Sequence, residues 1–162
     1  EHQALTRARF VAGDTQVGRQ FEQIRRAIIC RPRDPAALRT EIVNMRQKMR
    51  DAHPNQSELF DLKHDSGGII DVEFVVQFLV LAHAAAHTEL AENVGNLALL
   101  QRASRAGLVP ADLAEAVREA YRTYRRLQHQ LRMGGSEYAR VPRQEVAAHV
   151  AAVEQLWHLL LG

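Results

Sequence analysis

The stretch from Ile69 to Ala86 constrains the rest of the chain more than any other. It is apolar almost all the way round a helix, so it needs cover on several sides at once. A bilayer is not that cover, because Asp71, Glu73, Gln77 and His83 interrupt the run. The cover must be protein. A central hydrophobic helix over about 69–88, wrapped by amphipathic helices, is the expected arrangement.

The flanking sequence supplies those helices. Val17, Phe21, Ile24 and Ile28 step by 4, 3 and 4 and keep one stripe on one face. Leu38, Ile42, Met45 and Met49 repeat the pattern behind Asp34, a good N-cap, and Pro35, which suits a first helical position. Leu113, Val117, Ala120, Tyr124, Leu127 and Leu131 extend it over a long helix, and Val146, Val150, Val153, Trp157 and Leu160 close the chain in the same way. Turn residues fall between the runs: Gly13-Asp14, Pro32 to Pro35, His53-Pro54-Asn55, Ser66-Gly67-Gly68, Gly107 with Pro110, and Gly134-Gly135. Helices are expected at about 2–12, 15–30, 35–51, 69–88, 94–106, 110–133 and 143–161. No period-two alternation occurs, so no strand is expected. The fold class is all-α, an irregular multi-helix bundle forming a single helical domain over 1–162.

At 162 residues the chain can bury roughly 70% of its unfolded surface without a staple. Its one cysteine, Cys30, excludes an internal disulfide framework and reads as a small buried hydrophobe at a helix end. Nineteen of the 21 basic residues are Arg, but the net charge is only +2. With few aromatics and no recognition motif, that balance argues against nucleic acid. Neither a signal peptide nor a spanning segment is seen, so no membrane partner and a cytoplasmic address are expected. The chain opens on Glu1 directly into a helical pattern, which reads as a piece of a longer polypeptide.

The polar loop that leads into the central helix carries the densest chemistry. Lys63-His64-Asp65-Ser66-Gly67-Gly68 precedes Ile69, and Asp71 and Glu73 lie in the first turn that follows. A helix N-terminus with free N–H groups suits an anion, and glycines permit close backbone approach or positive φ. On so apolar a helix at least one of the two acids faces inward, and it then needs Lys63 or an arginine as partner. The same residues equally describe a capped helix start with an internal ion pair. Arg39, Arg46 and Arg50 line one side of their helix, and Arg118, Arg122, Arg125, His129 and Arg132 form a second basic stripe. The acids ahead of that stripe explain it as a solvated, ion-paired face; a partner-facing surface is the other account. His83 and His87 stand four apart, but neither HExxH nor Glu-x-x-His accompanies them, so no metal site is expected. Tyr121 and Tyr124 read as core or boundary residues. No complete catalytic constellation is present.

The run Lys63 to Phe74, continued by Val76-Gln77-Phe78-Leu79-Val80-Leu81, resembles the helical domain of the bacterial glutamine synthetase adenylyltransferase and adenylyl-removing enzyme family. Glu1 to Arg9, Glu41 to Arg50 and Asn93 to Leu100 are similar to it as well, so the resemblance covers most of the chain. With Asp71 ahead of Val72-Glu73-Phe74, the version here looks like the unit following the C-terminal, adenylylating nucleotidyltransferase domain. The resemblance implies a parent enzyme that moves AMP from ATP, with Mg2+, to a tyrosine of glutamine synthetase. Its other half reverses the reaction by phosphorolysis, and glutamine and the PII signal protein set the balance. It also implies that the metal-binding carboxylates lie in the nucleotidyltransferase domain, upstream of Glu1. The fragment is then inactive alone, with no catalytic residue and no cofactor of its own. Lys63, Asp65, Gly67, Gly68, Asp71, Glu73, Arg46 and Arg50 become candidates for positioning nucleotide or neighbouring domain. Two accounts stand: the motif helps place triphosphate or tyrosine, or it only locks the helical domain to its neighbour. A third, from a different class, has Arg118, Arg122, Arg125 and Arg132 docking glutamine synthetase or a PII-type regulator.

Overall fold

The computed structural model describes residues 2–162. Helices α1 (His2–Leu5), α2 (Thr15–Ile29), α3 (Pro35–Ala52), α4 (Ile69–His83), α5 (Asn96–Arg105), α6 (Ala111–Met133) and α7 (Arg143–Leu161) carry the fold, and it is all-α. A short 3-10 turn spans Thr88–Ala91.

The central helix is α4. Eleven of its fifteen residues are buried, and none is fully exposed. α3, α5, α6, α7 and the 3-10 turn all pack on it. Each Val, Leu, Ile or Phe taken out of water here contributes about 1.5–3 kcal/mol, so the order of wrapping follows the hydrophobicity of α4. Leu38 and Ile42 from α3, Leu99 and Leu100 from α5, Val117 and Tyr124 from α6, and Val150 and Val153 from α7 complete the core.

Local signals set the helix ends. Asp34 precedes Pro35 and accepts the Ala36 N–H at 3.0 Å, as the sequence predicts. Asp14 caps α2 by accepting from Gln16 N at 2.6 Å and Val17 N at 3.3 Å.

Four expectations are corrected. The first helix stops at Leu5, and Arg9 to Gly13 run exposed and irregular to the α2 cap instead of continuing to 12. The central helix ends at His83, because Ala84 to Ala86 break into a turn before the 3-10 segment. The helix expected at 94–106 begins two residues late, at Asn96, with Gly95 as its cap. Finally, two short strands exist where none were expected. β1 (Phe60–Asp61) pairs antiparallel with β2 (Arg140–Val141), Phe60 opposite Val141. Two-residue strands are too short to show an alternation, so only tertiary contact reveals them.

No helix among the described residues is long and apolar enough to cross a membrane.

Candidate functional site

The loop before α4 is built by its own acids. Asp61 Oδ1 accepts the N–H groups of Lys63 and His64, both at 2.9 Å, and turns the chain as an aspartate commonly does. Asp65 Oδ2 accepts from Asp61 N and from Asn55 Nδ2, each at 2.8 Å, which closes the loop on itself. Ile69 N then donates to Leu62 O at 2.9 Å and joins the loop to the helix.

Asp71 faces inward, as expected of one of the two acids. Its Oδ2 accepts the Gly67 N–H at 2.7 Å, and its Oδ1 accepts from Arg46 Nε. The Arg46 and Asp71 side chains are 1% and 2% exposed. Arg46 NH2 also donates to His64 O at 2.7 Å, so one guanidinium ties α3 to both the loop and α4. A charge removed from water this completely requires such partners. The partner is Arg46; Lys63 is exposed and takes no part.

That pairing corrects the first basic stripe. Arg39 is exposed and donates to Leu160 O at 2.9 Å, Arg46 is buried, and Arg50 is half-buried. They form no common surface. The missed signal was spacing: Arg46 lies four residues from Ile42 and eight from Leu38, on the buried face.

The two glycines are needed for packing within the domain. Gly67 has φ +82°, and a Cβ there would stand 2.8 Å from Val150 Cγ1 on α7. A Cβ on Gly68 would stand 2.8 Å from Leu62 O. What the backbone closely approaches is α7 and the loop itself.

Glu73 belongs to a second cluster. It pairs with Arg7 at 3.0 Å and accepts from the Tyr121 hydroxyl at 3.2 Å, while Asn96 Nδ2 donates to Tyr121 at 3.0 Å. Burial, then the Glu73 charge, raise the Tyr121 phenol above its ordinary range. Beside them lies a cleft of about 470 Å³ bordered by Arg7, Arg9, Gln77 and Asn93. Sequence reasoning found Glu73 but not Arg7 or Asn96, since contacts between distant helices leave no periodic trace.

On the loop's outer side, His64 stacks on His53 with ring centroids 4.7 Å apart. Burial lowers the His64 pKa below its ordinary 6.5; Asp61 opposes the shift, and Lys63 and His53 add to it.

The second basic stripe is real but half neutralised. Arg118 pairs with Glu115, and Arg122 with Glu115 at 3.1 Å and Glu119 at 3.0 Å. Arg125 donates to Gln128 Oε1 at 3.1 Å, and Arg132 is exposed. His83 and His87 are both half-buried, and His87 lies 3.6 Å from Glu89. Cys30 is likewise half-buried against the core rather than fully enclosed.

For a magnesium–nucleotide complex the loop is a poor fit. Asp61, Asp65 and Asp71 already accept from backbone or side-chain N–H groups. Among the described residues no group of three or more His, Cys, Asp or Glu is placed to hold a metal.

Comparison with known proteins adds the family. The model described as GlnD PII-uridylyltransferase matches residues 38–152, from α3 into α7. The chain is 58% identical over 161 residues to the bifunctional glutamine synthetase adenylyltransferase/adenylyl-removing enzyme of Bordetella bronchiseptica, covering 99% of this chain and 17% of that protein. It is 55% identical over 162 residues to the enzyme so named from Burkholderia mallei, covering all of this chain and 18% of that one. The Nitrosomonas eutropha enzyme of that name is 50% identical over 176 residues, with 19% of its length covered. The chain therefore spans less than a fifth of the curated relatives it matches. It belongs to the GlnD PII-uridylyltransferase family.

Proposed function

We propose that this member of the family is the helical domain of a glutamine synthetase adenylyltransferase/adenylyl-removing enzyme, the unit that follows the adenylylating nucleotidyltransferase domain. One observation carries the reading: identity of 50–58% over essentially the whole chain with enzymes of that name, each several times longer. The family model's description names uridylyl transfer to PII instead, but its match leaves out α1 and α2, which the adenylyltransferases share. The parent enzyme moves AMP from ATP to a tyrosine of glutamine synthetase, with Mg2+ held on the nucleotidyltransferase domain. Its partners are glutamine synthetase, a PII-type regulator and its own catalytic domain. This helical part alone performs no transfer.

Within that enzyme the loop from Lys63 to Gly68 is a scaffold that fixes the start of α4. The hydrogen bonds that Asp61, Asp65 and Asp71 accept from within the domain support this account over direct nucleotide contact. Lys63, exposed at the loop's edge, is the cation of the motif that could reach a phosphate.

The test uses the complete enzyme carrying Lys63→Ala and Asp71→Ala separately, with AMP transfer to glutamine synthetase and thermal midpoint followed together. A scaffold loses activity only in step with stability, through Asp71→Ala. Loss of transfer by orders of magnitude in Lys63→Ala at unchanged stability moves the loop into the active site. An enzyme that labels PII with UMP and leaves glutamine synthetase unmodified overturns the assignment as a whole.

A second reading is favoured by the uncompensated end of α6. Past the Glu115–Arg122 pairs, Arg125 and Arg132 offer charge to an acidic partner surface. Arg125→Glu with Arg132→Glu weakens capture of glutamine synthetase or PII if that end docks, and leaves capture unchanged if it is only solvated.

A further inference from the structure

α2 turns its two faces the wrong way for a helix covered only by its described neighbours. Its apolar stripe is Val17, Phe21, Ile24 and Ile28, yet Val17 is 60% and Ile24 61% exposed. What it buries is Gly18, Arg25 and Ile29, about a quarter turn further round at 3.6 residues per turn. The inward side is held by polar contacts, since Arg25 donates to Leu5 O and Ala91 O. Phe10 and Val11 carry the exposed apolar strip beyond the helix start. On the strip's solvent side stand Gln16, Gln20 and Gln23, which bring no charge that a covering surface would have to desolvate.

We propose that this stripe is a docking face for the parent enzyme's own nucleotidyltransferase domain, bound within the same polypeptide. The proposal rests on the assignment made above. More than four-fifths of the relatives' length lies outside this chain, which leaves ample protein to cover the face. α1 packs on α2 through Leu5 O and Arg25, on the side a quarter turn from the stripe, and so leaves the stripe itself uncovered. The strip also lies outside the part the family model matches, and of α2 only Ile29 joins the core around α4. A second copy fits less well. A 15-residue helix is about 22 Å long, and a strip about 10 Å wide along it offers on the order of 220 Å², against ~800 Å² per partner in stable complexes. A tethered domain meets no such requirement, because its linker keeps it at millimolar effective concentration.

The experiment introduces Ile24→Cys into the intact enzyme and measures maleimide labelling at that peptide, native against urea-unfolded. A covered face labels at least tenfold slower in the native enzyme, and the ratio holds on dilution. A ratio near two overturns the proposal. So does protection that disappears on dilution, which would assign the face to a second copy. Ile24→Asp gives a second readout: it lowers the intact enzyme's thermal midpoint if the face is covered, and an unchanged midpoint also overturns the proposal. Labelling does not depend on AMP transfer. Free labelling in an active adenylyltransferase therefore removes the docking face alone, while protection in an enzyme that fails to modify glutamine synthetase removes the functional assignment alone.

Discussion

Arg46 on α3 and Asp71 on α4 form an ion pair from which water is almost wholly excluded, and the loop between the two helices hangs from it. Breaking a buried pair by removing one member leaves an uncompensated charge, which costs about 3–5 kcal/mol. Asp71→Asn should lower unfolding stability by that amount in a denaturant titration. The double variant Arg46→Met, Asp71→Leu should recover only part of it, because the unpaired charge is gone but the Gly67 N–H and the His64 carbonyl lose their partners. A loss under about 1 kcal/mol in Asp71→Asn would mean that the pair does not hold the loop.

Gly67→Ala and Gly107→Ala separate backbone strain from packing. Both glycines have positive φ, +82° and +73°, so either alanine meets the cost of about 1–2 kcal/mol for left-handed backbone. Only at Gly67 does the new methyl also strike a neighbour, Val150. Gly67→Ala is therefore expected to destabilise by about 1–3 kcal/mol more than Gly107→Ala. Val150→Ala in the Gly67→Ala background should return part of the difference, measured as a double-mutant cycle.

Mild acid should weaken the domain through His64. Its folded pKa lies below 6.5, so the unfolded chain binds the proton more readily. Stability is complete above the unfolded pKa and is lost as pH falls from about 7 through 6.5 toward the folded value. His83, lowered by burial and by His87, acts in the same direction. Thermal midpoints recorded from pH 7.5 to 5 should fall, and less steeply in His64→Asn. Equal slopes would show that His64 does not contribute.

Arg25 fastens α2 and the first turn to the rest of the domain. Its guanidinium is buried, bonded to Leu5 O, Ala91 O and the Glu22 carboxylate. Arg25→Met removes charge-assisted bonds worth about 1.5–3 kcal/mol each before solvent makes good part of the loss. Limited proteolysis should then cut within residues 6–14 several times faster than in the wild type, while α3 to α7 stay intact. Cleavage spread evenly over the chain would contradict this local role.

The parts legible in the sequence were those that repeat. The period of the apolar residues locates α2, α3, α6 and α7, unbroken apolarity locates α4, and the Asp34-Pro35 pair locates a helix start, because all act over a few residues. What the sequence concealed depended on which neighbour lay opposite. The spacing shows that the α2 stripe is apolar but cannot say whether the domain itself covers it. Arg46 looked like part of a basic face because its type suggested solvent, whereas its register with Leu38 and Ile42 places it inside. Within the candidate site, local chemistry says that one of Asp71 and Glu73 faces inward and that the glycines allow close approach, but not that the inward acid is Asp71. Nor does it reveal the Arg7–Glu73–Tyr121–Asn96 cluster, since that is assembled from the start of the chain and three helices.

The pairing of Phe60-Asp61 with Arg140-Val141 also bears on when the domain is finished. Its partners are separated by about eighty positions, with α4, α5 and α6 strung between them. Closing so long a loop for two residues of ladder is unfavourable until α4, α5 and α6 have already shortened the distance. The small sheet therefore forms after the bundle has assembled rather than guiding it, so mutations at Phe60 or Val141 should speed unfolding far more than they slow refolding.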